Sequence, residues 1–501
     1  MTAELDAAAL REEIAAVYGV GLAFELFHLA VNDAARVVLA DRLAGAISRA
    51  GPNLPVSSPL RDRAALAGWT PLPTAPSRPG EPAQATARLL AWARAGGADV
   101  SALEIRTGPD GYRTAHAARN LATGERVLHV PRALWFDLAQ VRTPVGEAIA
   151  NLPLASDQTS LAVALIAERR DPDSRWRPYL DALPDRFPGL PTFQDAAALA
   201  PLVGSPVLDD VARRRRAVLD DHAAVVERVR PWLDLSLAEL AWGCAIAASR
   251  VFATELEGAP GRALIPIADA LDHGTGDVTY RCDAVAGGME ITAARSLAAG
   301  EEIHLSYGRK SNARLFSGYG FCVPDNPADV ARVVLPRPEI DIRGDLIARL
   351  VWNRPLGAPW EVQVGNSFDD DFRLALSQAR LAVATERELM IALERGCLRQ
   401  DGFPWLGERN EVAAWEALAT AAGARLAAFS ALSGDEATPC SRAVNLLLRG
   451  ERQVLAALPE LVAEIHPRLP GATCWDLRRL GDAAGDGLLG QYLRQVATEL
   501  P

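Results

Sequence analysis

The chain has 501 residues, of which 49% are hydrophobic and 23% are charged. This length suffices for two to four domains, and the composition is typical of a globular protein rather than a disordered one. The formal net charge is −11, from 52 basic and 63 acidic side chains. Nucleic acids and anionic membranes attract basic surfaces through their phosphates. We therefore expect neither as a partner of this protein.

The first residues are acidic and lack the pattern of a signal peptide. The most apolar stretch near them, residues 14–24, is too short to cross a bilayer. These features predict a cytoplasmic protein. The basic run at residues 213–216 has acidic residues on both sides, which favours the solvated face of a helix over a binding patch.

The six cysteines are far apart in the sequence, and no two form a Cys-x-x-Cys pair. In a reducing compartment such cysteines are typically buried apolar residues. The sequence therefore predicts no zinc site and no bound metal.

Helical and proline-rich segments come first along the chain. Residues 1–50 are rich in Ala, Leu and Val, with polar residues at helical intervals, and predict a helical N-terminal extension. Residues 51–85 are proline-rich and predict a linker. A short helix is predicted over residues 87–95, because two glycines follow it.

Strand and helix patterns then alternate in long blocks. Short apolar segments separated by turn residues predict strands over residues 102–105, 114–118 and 126–130. Helical periodicity occupies about residues 155–255, a second strand-rich block covers residues 263–336, and residues 336–501 are predicted to be helical. This order favours an α+β protein, in which a mostly-β core at residues 86–335 contains a helical insertion and an all-α domain follows, over a doubly wound α/β fold.

Four short motifs stand close together in the second strand-rich block. They are LIPIADALDH at residues 264–273, GEEI at 300–303, SYGRKSN at 306–312 and GYGF at 318–321. Their order and spacing resemble the SET-domain methyltransferases, within the branch of the Rubisco large-subunit methyltransferases. Members of that branch have P-x-x-D-x-x-N-H, then G-E-E, S-Y-G-x-x-S-N and Y-G-F.

Other segments extend the resemblance over about residues 86–460. Asp110-Gly111-Tyr112 lies where the family begins its SET fold, and SRWRPYL at residues 174–180 resembles its inserted helical region. The motif SRVF at residues 249–252 matches the S-R-x-F of the family. So many motifs in the correct order make coincidence improbable.

The resemblance implies an S-adenosylmethionine-dependent enzyme that methylates a lysine nitrogen of a protein or peptide. It implies that the cofactor and the target lysine enter from opposite faces and meet in a narrow channel. Methyl transfer from a sulfonium to an amine requires alignment, exclusion of water and a neutral amine. A tyrosine hydroxyl can orient the amine without adding charge, and Tyr307 is the candidate for this catalytic role. The alternative for Tyr307 is a core tyrosine with a satisfied hydroxyl.

Further residues match the cofactor-binding positions of the family. Arg250, which follows Ser249, suits the cofactor carboxylate, since guanidinium pairs well with carboxylate; a surface ion pair with Glu255 is the alternative. His273 is placed to bond the adenine edge through its imidazole or backbone, or is structural. Asp269 either accepts from the cofactor amino group or holds the local turn.

The turn at Gly111 and Tyr112 would supply backbone contacts to the cofactor, or is an ordinary turn. On the substrate side, Phe252 and Tyr319 match the positions that line the lysine channel. Plain packing beside Phe321 is the alternative for Tyr319.

The sequence departs from the family pattern at two positions. Asp272 replaces the usual Asn, and a carboxylate only accepts hydrogen bonds, whereas an amide also donates. It can accept from the cofactor ammonium, or leave a backbone carbonyl unpaired. Arg113 replaces the second glycine of G-x-G, which is costly if that position needs a positive φ. Both departures are compatible with a weakened or retuned enzyme, or with a pseudoenzyme.

Three alternatives to lysine methylation therefore stay open. Histidine N-methylation occurs in a branch of the same family, although Phe252 resembles the lysine-directed members more. A non-catalytic SET-like module would bind a partner protein through the helical C-terminal half. The third alternative is modification of a peptide or small amine, since the N-terminal extension would suit a dedicated partner of that kind. No Walker loop, G-x-S-x-G elbow or H-E-x-x-H motif points to another chemistry.

Overall fold

A computed structural model describes most of residues 66–499. Within that range it leaves out residues 67, 77–79, 109–110, 142–143, 150–151, 157, 257–258, 284–286, 337–359, 395–402, 404 and 430–437. The predicted helical extension at residues 1–50 and most of the predicted linker at 51–85 lie outside the described residues.

Ten strands are assigned in the described part of the chain. They are β1 (Leu103–Thr107), β2 (Arg113–Ala117), β3 (Arg126–Pro131), β4 (Val251–Leu256), β5 (Ala259–Leu264), β6 (Asp272–Asp283), β7 (Gly288–Ala293), β8 (His304–Leu305), β9 (Val330–Val334) and β10 (Glu361–Gly365).

Helices separate and follow these strands in the described residues. They are α1 (Pro82–Ala95), α2 (Pro144–Ile149), α3 (Thr159–Arg170), α4 (Arg177–Ala182), α5 (Ala196–Leu199), α6 (Val207–Val229), α7 (Leu237–Arg250), α8 (Asn312–Tyr319), α9 (Asp370–Ala382), α10 (Glu386–Glu394), α11 (Glu408–Ala428), α12 (Pro439–Ile465), α13 (Cys474–Ala483) and α14 (Leu488–Glu499).

The first strands and helix agree with the predictions to within a few residues. Strands β1 and β2 pair antiparallel, with Leu103 opposite Ala117. Helix α1 begins at Pro82, five residues before its predicted start. Proline is well suited to the first helical turn, because its missing N–H has no intrahelical partner there.

A four-stranded sheet with the order β3-β7-β6-β8 forms the centre of the SET-like core. Strands β3, β7 and β6 are antiparallel, whereas β6 and β8 are parallel. The parallel register pairs Asp272 with His304 and His273 with Leu305. It therefore brings the start of β6 beside the chain that leads to Tyr307.

The helical insertion packs on this core through α7. Helix α7 begins at a capping box, in which the Ser236 side chain accepts from the Glu239 N–H and the Glu239 side chain accepts from the Ser236 N–H. Gly243 lets α7 approach α3, since a Cβ there would stand 3.0 Å from the Ala162 Cβ. Helix α7 ends at Arg250, and β4 starts at the next residue. The SRVF motif therefore spans a helix–strand junction.

The C-terminal part has its own apolar core, to which Trp415 and Ala422 of α11 contribute buried side chains. Sequence patterns predicted only helices after residue 336, and that prediction was wrong for β10. This strand pairs antiparallel with β9, with Val362 opposite Val333. A five-residue strand among long helices gives too short a pattern to be distinguished from them.

Helix α8 was also not predicted, because it lies inside the second strand-rich block. It ends at Gly320, whose φ of 83° is left-handed. The backbone of Gly320 lies against Gly189 of the insertion, where an added Cβ at Gly189 would stand 2.1 Å from the Gly320 carbonyl oxygen. The two glycines thus fix α8, and with it Tyr319, against the insertion.

Helix α12 joins the two parts of the chain. Its residues Val444 and Leu448 share an apolar cluster with Leu202 of the insertion and Phe316 of α8. An added Cβ at Gly450 would stand 2.0 Å from the Asp329 Oδ2. The SET-like core and the C-terminal helices are therefore held in close contact at this point.

Candidate active site

A cavity of about 180 Å³ lies where the α7–β4 junction, β8 and α8 meet. Its wall includes Tyr307 and five other predicted site residues, namely Ser249, Arg250, Phe252, Asp269 and Tyr319. Tyr280 and Lys310, which sequence reasoning did not identify, line it too. The structure therefore brings together residues that are up to 70 positions apart in the sequence.

Aromatic rings form two walls of this cavity. Phe252 and Tyr280 make an edge-to-face pair with ring centroids 5.7 Å apart. The rings of Tyr307 and Tyr319 are 5.2 Å apart. Such walls are weakly polar, so they disfavour a charged group that enters the cavity.

The hydroxyl of Tyr307 is fixed by the backbone. It donates to the Leu271 carbonyl oxygen at 2.8 Å. Burial raises the pKa of Tyr307 above its usual value, and the nearby Asp272 carboxylate raises it further. The hydroxyl therefore stays protonated at neutral pH, and its oxygen can still accept a hydrogen bond.

His273 supports Tyr307 from the neighbouring strand. Its Nδ1 accepts the Tyr307 backbone N–H at 3.1 Å, and the two rings lie 5.1 Å apart. Because Nδ1 accepts, the proton of the neutral ring is on Nε2. Burial lowers the pKa of His273. Nδ1 of His273 is thus occupied by the bond from Tyr307, whereas Nε2 takes no part in that bond.

A buried charge cluster surrounds Asp269. The Arg250 Nη1 donates to the Asp269 backbone oxygen at 2.8 Å, and it lies 3.3 Å from Oδ2. The Tyr179 hydroxyl donates to the same Oδ2 at 3.1 Å. Asp269 is therefore a buried partner of Arg250 and orients its guanidinium group.

Arg113 belongs to this cluster. Its side chain is buried, and its Nη2 lies 3.8 Å from the Asp269 Oδ2. Burial lowers the pKa of Arg113, whereas Asp269 raises it. Among the described non-glycine residues only Ile267 and Asp325 have a positive φ. Arg113 therefore causes no backbone strain, and its charge is compensated by Asp269.

The turn before Asp269 is strained. Ile267 has a φ of 72°, and its side chain is fully buried. A β-branched residue rarely adopts this conformation, which costs of the order of 1–3 kcal/mol. The surrounding core, including Leu264 and Leu271 on either side of the turn, is tightly packed. Such a turn fixes the position of Asp269 and therefore of Arg250.

Tyr112 connects the β1–β2 turn to the start of β6. Its hydroxyl donates to the Asp272 Oδ1 at 2.6 Å, the length of a charge-assisted bond. Gly111 before it has a φ of 83°. Burial raises the pKa of Asp272, whereas the bond from Tyr112 lowers it. The carboxylate that replaces the usual amide therefore has its own donor in this protein.

Ser249 has a structural contact within its helix. Its hydroxyl donates to the Ala245 carbonyl oxygen at 2.8 Å, while the residue also lines the cavity. Tyr179 lies in the SRWRPYL segment, but its role could not be foreseen, because its partner Asp269 is 90 residues away. Tyr280 lies outside the motifs, and Lys310 occupies a variable position of S-Y-G-x-x-S-N, so neither was distinguished from a surface residue.

Metal and membrane features were searched in the same described residues. No group of three or more His, Cys, Asp or Glu side chains is placed to hold a metal ion there. No described helix is long and apolar enough to cross a membrane.

Sequence comparison relates the chain to protein methyltransferases. No protein-family model matches it. The actin-histidine N-methyltransferase of Canis lupus familiaris is 25% identical over 279 residues, which are 52% of this chain and 47% of that protein. The Homo sapiens protein of that name is 24% identical over the same length. The chain thus spans about half the length of the curated relatives it matches.

Structural comparison defines the fold. The SET domain of LSMT bound to lysine and AdoHcy has a TM-score of 0.64 and 20% identity, covering 83% of this chain and 99% of that chain. Rubisco LSMT bound to AdoMet has a TM-score of 0.62 and 20% identity, covering 82% and 99%. The chain therefore has the SET fold with a helical C-terminal region, and the predicted α+β architecture is confirmed.

Proposed function

We propose that this chain is an S-adenosylmethionine-dependent protein N-methyltransferase that acts on a lysine side chain. The observation that carries the proposal is the Tyr307 hydroxyl, which is fixed on a backbone carbonyl in an aromatic cavity beside a buried arginine. The LSMT structures are bound to AdoMet or to its product AdoHcy, and they share this fold.

The residues of the site fit this cofactor. The Arg250 Nε and the Asp269 Oδ1 are buried and have no hydrogen-bond partner among the described residues. A guanidinium suits the cofactor carboxylate, and the Asp272 carboxylate suits the cofactor ammonium group. The left-handed turn at Gly111 and the backbone of Tyr112 would lie against the cofactor. The second nitrogen of His273 would bond the adenine edge.

When bound, the cofactor would supply a methyl group on a sulfonium; the amine nitrogen would bond to its carbon as the carbon–sulfur bond breaks and the neutral thioether leaves. The protein has to hold the substrate amine in its neutral form and orient it toward the methyl group. Because the Tyr307 hydrogen is committed to Leu271, the hydroxyl oxygen is left to accept an N–H of the substrate. Its raised pKa keeps it neutral, so Tyr307 orients the amine without acting as a base.

The cavity also favours the neutral, deprotonated form of an amine. Lys310 lines it, and burial together with the charge of Arg314 lowers the pKa of this lysine. A substrate lysine between the same aromatic walls would meet the same desolvation. Such desolvation would provide the neutral amine that transfer to lysine requires, a condition that an already neutral ring nitrogen does not impose.

Tyr307→Phe tests the catalytic role. The variant keeps the ring contacts with His273 and Tyr319, and it loses only the hydroxyl. We expect AdoHcy affinity to be unchanged and methyl transfer to fall by about 10²-fold, since orientation of the nucleophile is lost. Tyr280→Phe in the same cavity is the matched control and should keep most activity. Equal turnover of Tyr307→Phe and wild type would refute the role.

Histidine is the second candidate target, because the sequence relatives are actin-histidine N-methyltransferases. Two peptides that differ only in a central Lys or His, offered with methyl-labelled cofactor, distinguish the candidates. Label in methyl-lysine supports our proposal, and label in methylhistidine overturns the lysine assignment. If neither peptide nor AdoHcy binds, the chain is a non-catalytic binding module.

A further inference from the structure

Two larger cavities lie beside the reaction cavity, with volumes of about 530 and 1010 Å³. The first lies between α6, α8 and the C-terminal part, and the second between α6, α8 and α7. Arg213, Arg214, Arg314 and Ser317 line both cavities. The basic run that the sequence placed on a solvated helix face thus borders two cavities; Arg213, Arg214 and Arg216 are exposed, and Arg215 is partly buried.

Arg214 and Arg314 come from different helices and form the common wall, which we call the arginine pair. Burial lowers the pKa of Arg214, and the positive charge of Arg314 lowers it further, against an opposing effect of Asp210. No described carboxylate forms an ion pair with either guanidinium, whereas Arg213 pairs with Asp210. Two like charges on one cavity wall without a carboxylate partner repel each other, and an anion that joins them removes this repulsion.

The arginine pair adjoins the reaction cavity. Tyr319, which lines that cavity, ends the same helix on which Arg314 lies. Burial raises the pKa of the Tyr319 hydroxyl, and the positive charges of Arg314 and Arg214 offset part of this rise. Five residues of helix separate Arg314 from Tyr319, a rise of about 7.5 Å. An extended peptide covers that distance in about two to four residues.

We infer that the arginine pair, Arg214 and Arg314, binds an acidic side chain of the substrate protein about two to four residues from the methylated residue. This inference rests on the proposed function, because the reaction cavity defines where the substrate residue enters. It also fits the overall charge of −11, since a local basic wall on an acidic protein favours an acidic partner segment there. A carboxylate would join the two guanidinium groups through charge-assisted hydrogen bonds.

The test compares two fluorescent 11-residue peptides with a central lysine, one with Glu and the other with Gln at the second and third positions on each side. Anisotropy is measured without cofactor at low salt and at high salt. We expect wild type to bind the Glu peptide about tenfold more tightly, with a preference that shrinks as salt rises. Arg214→Gln/Arg314→Gln should abolish the preference. Arg228→Gln, an exposed position of α6 that lines neither cavity, should retain it.

Three outcomes would overturn the inference: equal binding of the two peptides by wild type, an unchanged preference in the double variant, or tighter binding of a single-stranded oligonucleotide of equal charge. Thermal stabilisation by AdoHcy separates this inference from the proposed function. If AdoHcy stabilises wild type and the double variant equally and no peptide preference appears, only the inference fails. If AdoHcy does not stabilise wild type, the proposed function fails, and the peptide preference is judged by its own binding data.

Discussion

Glu451 makes the stability of the protein depend on pH near neutrality. Its side chain is buried on α12, where Oε1 accepts the Ser205 hydroxyl at 2.9 Å. Burial raises the pKa of Glu451 to about 7, and Asp329 raises it further, whereas Arg425 and Arg332 lower it. The unfolded value is 4.5. The folded protein therefore binds a proton that the unfolded chain releases between these two values.

The sign of the effect follows from linkage. A raised pKa in the folded state gives a stability that is fully present below pH 4.5 and is lost as pH rises through about 7. At 1.36 kcal/mol per pH unit, Glu451 costs ~2–3 kcal/mol of stability between pH 5 and pH 8. Asp329 has a pKa of about 6, also raised by burial, and acts in the same direction.

Glu451→Gln removes this titration and keeps an oxygen that can accept from Ser205. We expect similar thermal midpoints for the variant and wild type at pH 5, and a higher midpoint for the variant at pH 8. For ~2–3 kcal/mol, and an unfolding entropy of ~2.1 cal/mol/K per residue over a chain of this length, the difference at pH 8 should be roughly 2–3 °C. Melting followed by circular dichroism at pH 5, 6, 7 and 8 measures it.

Glu460→Gln is the matched control, because it removes the same charge from an exposed position of the same helix. Its midpoint should follow that of wild type at every pH. The reasoning is refuted if Glu451→Gln shows the same pH dependence as wild type, or if it is less stable than wild type at pH 8.

Three further predictions concern the contact between the two parts, the C-terminal core and the cofactor site. Gly450→Ala places a methyl group against a fixed carboxylate and should cost ~1–3 kcal/mol in melting experiments, whereas Gly423→Ala on exposed helix should not destabilise. Arg380→Met leaves the buried Glu411 unpaired and should cost ~3–5 kcal/mol; adding Glu411→Leu should recover part of this loss. Asp272 is anionic only above its raised pKa, so calorimetric AdoHcy affinity should rise with pH through the acid range in wild type and stay flat in Asp272→Asn. A melting midpoint of Gly450→Ala or Arg380→Met equal to that of wild type would contradict the first two predictions. The same pH dependence of AdoHcy affinity in Asp272→Asn and wild type would contradict the third.

Strands with clear apolar patterns and turn residues at both ends could be predicted from the sequence. Strands β2 and β3 lie within one residue of their predicted bounds. Strand β10 could not be predicted, because its pairing with β9 defines it rather than a periodic pattern. Helix α8 could not be predicted either, because the contact of Gly320 with Gly189 fixes its end.

The residues of the candidate site also divide into those that the sequence predicted and those that it did not. The motifs placed Tyr307, Arg250 and Asp269 in one region, and the structure brings them to one cavity. The left-handed Ile267 could not be foreseen, since its conformation is imposed by the surrounding core. The arginine pair was missed because its members are 100 residues apart and meet only through the packing of α6 and α8.

The central claim is that the site around Arg250 and Asp272 binds the methyl-donor cofactor. Calorimetric titration of the purified protein with S-adenosylhomocysteine tests it directly. The account predicts saturable one-to-one binding, weakened by Arg250→Met, and ~2.7 kcal/mol of added stability at a hundred times the dissociation constant. No heat of binding and no thermal shift with wild type would contradict it.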